Sequence, residues 1–125
     1  MPQVEAGACG KPVIGINAMG MLDTLVHGET AFLANVAQKI IMNEVILGDE
    51  SGFEDKHRVL FKEPRTVDYR ASVHDIANYL MDLMTDAALR EKMGKAARER
   101  IVEYFDYRVV AKRFVQMMND KLGIK

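Results

Sequence analysis

The run Glu5-Ala6-Gly7-Ala8-Cys9-Gly10-Lys11-Pro12-Val13-Ile14-Gly15 narrows the possible folds more than any other part of the chain. Residues 2–9 predict a short helix, and Pro2 is tolerable in a first turn, where a missing N–H costs no helical bond. Gly10 can adopt the left-handed conformation that closes a helix, and Pro12 blocks its continuation. Val13, Ile14 and Ile16 form a short β-branched run, which suits a strand buried on both faces. Asn17-Ala18-Met19-Gly20 then predicts a loop, and Met21 to Val26 one or two helical turns ended at Gly28. After the turn His27-Gly28-Glu29-Thr30, the segment Ala31-Phe32-Leu33-Ala34 reads as a second strand. Helix and strand alternating with tight joints is the pattern of a parallel α/β sheet.

The segment 35–72 follows another pattern. Val36-Ala37, Ile40-Ile41 and Val45-Ile46 recur at helical spacing and predict an amphipathic helix ending at Gly48. Asp49 to Asp55 then reads as an acidic, glycine-containing loop, and Val59-Leu60-Phe61 as a strand closed by Pro64. From Ser72 the chain reads as helical. Ser72 and Asp75 form a capping-box pattern, with Ile76, Ala77, Leu80, Leu83 and Met84 on one face. Thr85-Asp86 restarts the chain into a helix marked by Leu89, Met93, Ala97, Ile101 and Phe105. Asp106 caps a third, striped by Val110, Phe114, Met117 and Leu122 and stopped by Gly123.

Composition excludes several classes. Hydrophobic residues at 49% and charged residues at 28% are ordinary for a soluble globular protein. A net charge of −1 gives no basic face for nucleic acid. Arg98, Arg100, Arg108, Lys112 and Arg113 are interleaved with acids and read as a solvated surface. The single cysteine, Cys9, excludes an internal disulfide framework and reads as a packed structural thiol. No membrane span or signal peptide is visible, so the expected location is the cytoplasm.

Few residues offer chemistry. Glu5 lies among small or apolar residues, so its carboxylate could face a pocket and accept the vicinal hydroxyls of a ribose. An exposed first-turn glutamate that favours the helix dipole explains it equally well. Asn17 and Gly20 border the loop where the first strand runs into the next helix, and backbone amides at such a place can hold an anion. A plain tight turn accounts for the same residues, because neither G-x-G-x-x-G nor a P-loop is present. His27, His57 and His74 are too scattered for a metal site, the loop 49–55 lacks EF-hand order, and no metal is expected. The nine methionines read as core filler, and no nucleophile elbow or triad supports hydrolase chemistry.

The chain resembles the family-4 retaining glycosyltransferases in two stretches. Glu5 to Gly15, the continuation Asn17-Ala18-Met19-Gly20-Met21-Leu22-Asp23, and His27-Gly28-Glu29-Thr30-Ala31-Phe32-Leu33 resemble the end of that family's donor-site motif. Leu89-Arg90-Glu91-Lys92-Met93-Gly94-Lys95-Ala96-Ala97-Arg98-Glu99-Arg100 and Tyr104-Phe105-Asp106-Tyr107 are similar to its closing helices. The resemblance implies a GT-B type enzyme of two Rossmann-like domains, in which 1–34 carries donor-site elements, 35–72 is an insertion and 73–125 supplies the closing helices. It matches Glu5 to the motif's second glutamate, the one that contacts ribose, and places Asn17 and Gly20 beside the donor cleft. Gly10, Pro12 and Gly28 would be structural turns. The motif's first glutamate falls before Met1, and Met19-Gly20, Leu22, Asp23 and Ala31 depart from the family's Gly-Gly, Pro, Glu and Gly.

The fold expected is thus α/β, a partial Rossmann-like parallel sheet with three C-terminal helices. The function implied is part of an enzyme that transfers a sugar, with retention, from a nucleoside-diphosphate sugar to a hydroxyl acceptor. That donor is the substrate, and no cofactor is expected. The partner would be the missing acceptor domain or another chain. The alternative is a non-catalytic interaction module that completes its sheet with a partner. A receiver-type or flavodoxin-like domain is disfavoured by the absence of an early acidic pair and of a phosphate loop.

Overall fold

The computed structural model describes residues 1–47 and 57–124. Helix α1 (Pro2–Ala8) leads to strand β1 (Val13–Ile16), the single-turn helix α2 (Met21–Thr24) and strand β2 (Ala31–Ala34). Two long strands follow, β3 (Val36–Leu47) and β4 (His57–Ala71), then the helices α3 (Val73–Thr85), α4 (Ala87–Tyr104) and α5 (Tyr107–Leu122). The fold is mixed α/β, with a small parallel sheet and three C-terminal helices. No helix among the described residues is long and apolar enough to cross a membrane.

The local signals at the N-terminal end act as their chemistry dictates. Gly10 sits at φ +69° just past α1, and its N–H reaches the carbonyl of Gly7 at 2.9 Å. Gly28 at φ +76° lets the chain turn into β2. β1 and β2 pair in parallel, with Val13 beside Ala31 and Ile16 beside Ala34. Successive side chains of a strand point to opposite faces. One face packs Leu25, Ala31 and Leu33 into a core with Val13 and Met21, and Gly15 leaves room for Leu25 and Leu33 there. On the other face Phe32 stacks on Tyr79 of α3, with ring centres 4.6 Å apart.

Helix α4 closes the body. Met93 is 1% exposed and Ala97 is buried, with Leu89, Ile101 and Phe105 partly covered, as the spacing of those residues predicts. Contact with α1 is close because the facing residues are small. A Cβ on Gly94 would lie 2.1 Å from the carbonyl oxygen of Gly10, and one on Gly7 would lie 2.8 Å from Ile101.

Segment 35–72 departs from expectation. The predicted amphipathic helix is instead strand β3, paired antiparallel with β4. β-branched Val36, Ile40, Ile41, Val45 and Ile46 favour a pleated backbone, and a facing strand outweighs their helix-like spacing. The predicted strand at Val59–Phe61 does not stop at Pro64 but runs on to Ala71. Proline has no N–H for the ladder, and Pro64 falls in an irregular stretch: residues 61–64 lie between the partners of Met42 and Glu44. The expected stop at Gly48 and the acidic loop 49–55 lie outside the described residues.

The closing helices are capped by the residues their sequence singles out. Ser72 Oγ accepts from the N–H of Asp75 at 3.2 Å, Asp86 from that of Leu89 at 2.9 Å, and Asp106 from that of Arg108 at 2.9 Å. Gly123 closes α5 at φ +67°. The buried face of α3 keeps only Leu83 of its expected apolar stripe. Tyr79 and Leu83 turn to the body, while Ile76, Leu80 and Met84 are exposed. Val110, Phe114, Met117 and Leu122 of α5 are exposed too.

Candidate ligand edge of the parallel sheet

Ligands of open α/β sheets bind outside the carboxyl ends of the strands. Here those ends are Ile16 and Ala34, held together where the Asn17 N–H donates to the Ala34 carbonyl at 2.8 Å. Two connections leave this edge. One is the loop from Asn17 to Gly20; the other is the whole β3–β4 hairpin, whose feet are Asn35 and Ser72.

In the loop Asn17, Met19 and Gly20 are exposed and Ala18 is buried. The left-handed residue is Met19, at φ 55°, whereas Gly20 has ordinary helical angles. A side chain in that conformation costs about 1–2 kcal/mol. Gly20 precedes α2 with no side-chain cap, and its carbonyl accepts from Thr24 Oγ1 at 3.4 Å. With four residues, α2 is too short for a substantial dipole.

Glu5 lies on α1, outside this loop in sequence. Its side chain is 78% exposed, and its carboxylate lies 3.6 Å from the terminal amine of Met1. A hollow of about 360 Å³ beside α1 is lined by Pro2, Gln3, Ala6, Val13 and Met21 rather than by Glu5. Asn17 and Gly20 share one connection, and no described hydrogen bond links Glu5 to either. Cys9 is exposed, not packed as its small neighbours suggest.

Several ordering groups escape the sequence patterns. His27 Nδ1 accepts from the N–H of Leu33 at 2.9 Å, which places the proton of the neutral ring on Nε2. Its ring meets Phe32 and Tyr79 edge-on, at 5.9 and 5.7 Å between centres. Asp75 Oδ2 accepts from the Asn35 N–H at 3.0 Å, and the Ser72 N–H donates to the Asn35 carbonyl at 2.8 Å, so both hairpin feet are tied to the start of α3. Long-range partners such as these leave no local signature.

The arginines of α4 do more than solvate a surface. Arg98 donates to the carbonyl of Ala8 at the end of α1. Arg100 reaches the Thr24 and Asp23 carbonyls at the end of α2, at 3.2 and 3.5 Å, and Arg90 the Leu83 carbonyl in the last turn of α3, at 2.6 Å. The final carbonyls of a helix have no helical donor, and a cation also complements the dipole there. A single helix thus caps each of the three helices described before it. The Arg100 guanidinium also lies 5.0 Å from the centre of the Tyr104 ring. Among the described residues, no three of His, Cys, Asp and Glu are grouped to hold a metal ion.

The chain is 25% identical over 119 residues to the N-acetyl-α-D-glucosaminyl L-malate synthase of Bacillus anthracis, an alignment covering 95% of this chain and 22% of that protein. No protein-family model and no solved structure matches it. The chain therefore spans about a fifth of the length of the curated relative it matches.

Proposed function

We propose that these residues form part of the donor-binding domain of a glycosyltransferase, related to the family-4 retaining enzymes. The observation that carries this reading is a likeness extending over 95% of the chain to a synthase whose name couples an N-acetylglucosaminyl group to L-malate. A parallel strand pair that opens both connections at one edge is compatible with it. The donor is a nucleoside-diphosphate sugar and the acceptor a hydroxyl group, with retention at the transferred carbon. Residues 1–34 supply donor-site elements, 35–72 an insertion and 73–125 the closing helices.

In this reading Glu5 accepts the two ribose hydroxyls, and Asn17 and Gly20 line the cleft. The exposed carboxylate is accessible for that role. The leaving diphosphate gains its stabilisation from preorganised donors elsewhere in the complete enzyme. Turnover is therefore not expected from these 125 residues alone.

The test is calorimetric titration of the complete enzyme with nucleoside diphosphates. Glu5→Ala is expected to weaken binding about tenfold, equal to ~1.4 kcal/mol. Unchanged affinity would remove the ribose assignment, and sugar transfer by the isolated chain would overturn the partial-domain reading.

A further inference from the structure

The strand that mimics a helix in sequence carries a different symmetry. About Ile41 the residues of β3 mirror one another in character: Ile40 with Met42, Lys39 with Asn43, Gln38 with Glu44, Ala37 with Val45. Apolar answers apolar and polar answers polar. An antiparallel strand pair brings residues at equal distances from its centre face to face. We infer that the outer edge of β3 pairs antiparallel with β3 of a second copy of this chain, centred on Ile41, joining two hairpins into one four-stranded sheet.

In that register Ile41 meets its own copy, Ile40 meets Met42, the Gln38 amide faces the Glu44 carboxylate, and the Lys39 ammonium faces the Asn43 carbonyl. No like charges are opposed. Shifting the centre to Met42 sets Ile40 against Glu44 and Lys39 against Val45. Moving it to Ile40 sets Gln38 against Met42 and Lys39 against Ile41. Only the Ile41 register matches every pair from Ala37 to Val45.

The hairpin needs such a partner. A two-stranded ribbon is at best marginally stable by itself, and β3 and β4 pack on each other far more than on any other element. Ile41, Met42 and Ile46 are 60%, 43% and 56% exposed. The two edges also differ. β4 carries Pro64, Lys62, Arg65, the extra residue Val67 and the irregular stretch 61–64, all of which hinder strand addition. β3 has no proline, only Lys39 and Glu44 as charges, the latter paired with Arg58 of β4 at 3.2 Å, and single unpaired residues at Ala37 and Asn43 in place of the longer break in β4. One open edge beside one guarded edge gives a twofold dimer that closes instead of a growing fibre. The inference does not depend on the glycosyltransferase reading.

Sedimentation velocity of the chain across about a hundredfold range of concentration tests it. The wild type is expected to form a reversible dimer. Ile41→Lys and Ile41→Glu each oppose like charges at the axis and are expected to weaken it at least about tenfold. An equimolar mixture of the two variants is expected to restore dimer, because only this register sets position 41 against itself. Far-UV circular dichroism checks that both variants keep their strands, and the mixture keeps the test decisive where one alone folds poorly. A wild type that is monomeric throughout, or a mixture no better paired than either variant alone, would overturn the proposal.

Discussion

Gly94 is the residue with the least freedom to change. An added methyl group would lie 2.1 Å from the Gly10 carbonyl oxygen, so the backbone of the α1–β1 turn would have to move. Gly94→Ala is expected to cost about 3 kcal/mol, read as a lower urea midpoint. Gly7→Ala is the milder control: its new contact, 2.8 Å from Ile101, is a side chain that can rotate away, and about 1 kcal/mol is expected. Met19 predicts the opposite sign. It is exposed and left-handed at φ 55°, so Met19→Gly is expected to stabilise by about 0.5 kcal/mol, net of the entropy glycine adds to the unfolded chain. Asp106 carries a pH dependence. Hydrogen bonds from the Arg108 side chain and then from its backbone N–H hold the carboxyl below the ordinary aspartate value. Its contribution to α5 is therefore present above that value and lost as pH falls through the depressed one. A carboxyl-detected NMR titration is expected to show the low midpoint, and Arg108→Ala to raise it.

The elements show where a local code suffices and where it fails. Helix starts and stops were legible because caps are local: Ser72, Asp86, Asp106, Gly10 and Gly123 act within a few residues of their own positions. The buried face of α4 was legible because its apolar residues and its packed residues coincide. α3 separates the two. Its packed face runs through Tyr79 and Leu83, while Ile76, Leu80 and Met84 stay exposed. β3 mimics a helix in sequence because paired apolar residues four or five apart satisfy a helical period, and the partner that makes it a strand lies across a hairpin. That hairpin is tied in at Asn35 and Ser72, 2.8 Å apart from carbonyl to N–H. Replacing residues 36–71 by a short turn is expected to change the stability of the remaining body by no more than about 1 kcal/mol, measured by thermal denaturation.

At the scale of the molecule, the parallel pair β1–β2 could be anticipated from short runs and glycines alone. The site could not be read as far. Asn17 and Gly20 share a loop as their spacing implies, while the exposure of the Glu5 carboxylate was not legible, because which way a helix turns a side chain depends on neighbours distant in sequence. The cross-links made by Arg90, Arg98 and Arg100 were illegible for the same reason. Arg100→Ala is expected to cost about 1 kcal/mol, since the Thr24 carbonyl then loses its donor, with Arg108→Ala as the exposed comparison.

Those three guanidinium clasps join stretches of chain that are synthesised far apart. A nascent polypeptide released from the ribosome only as far as α3 has its first three helices without their terminal donors and Gly10 without its lid.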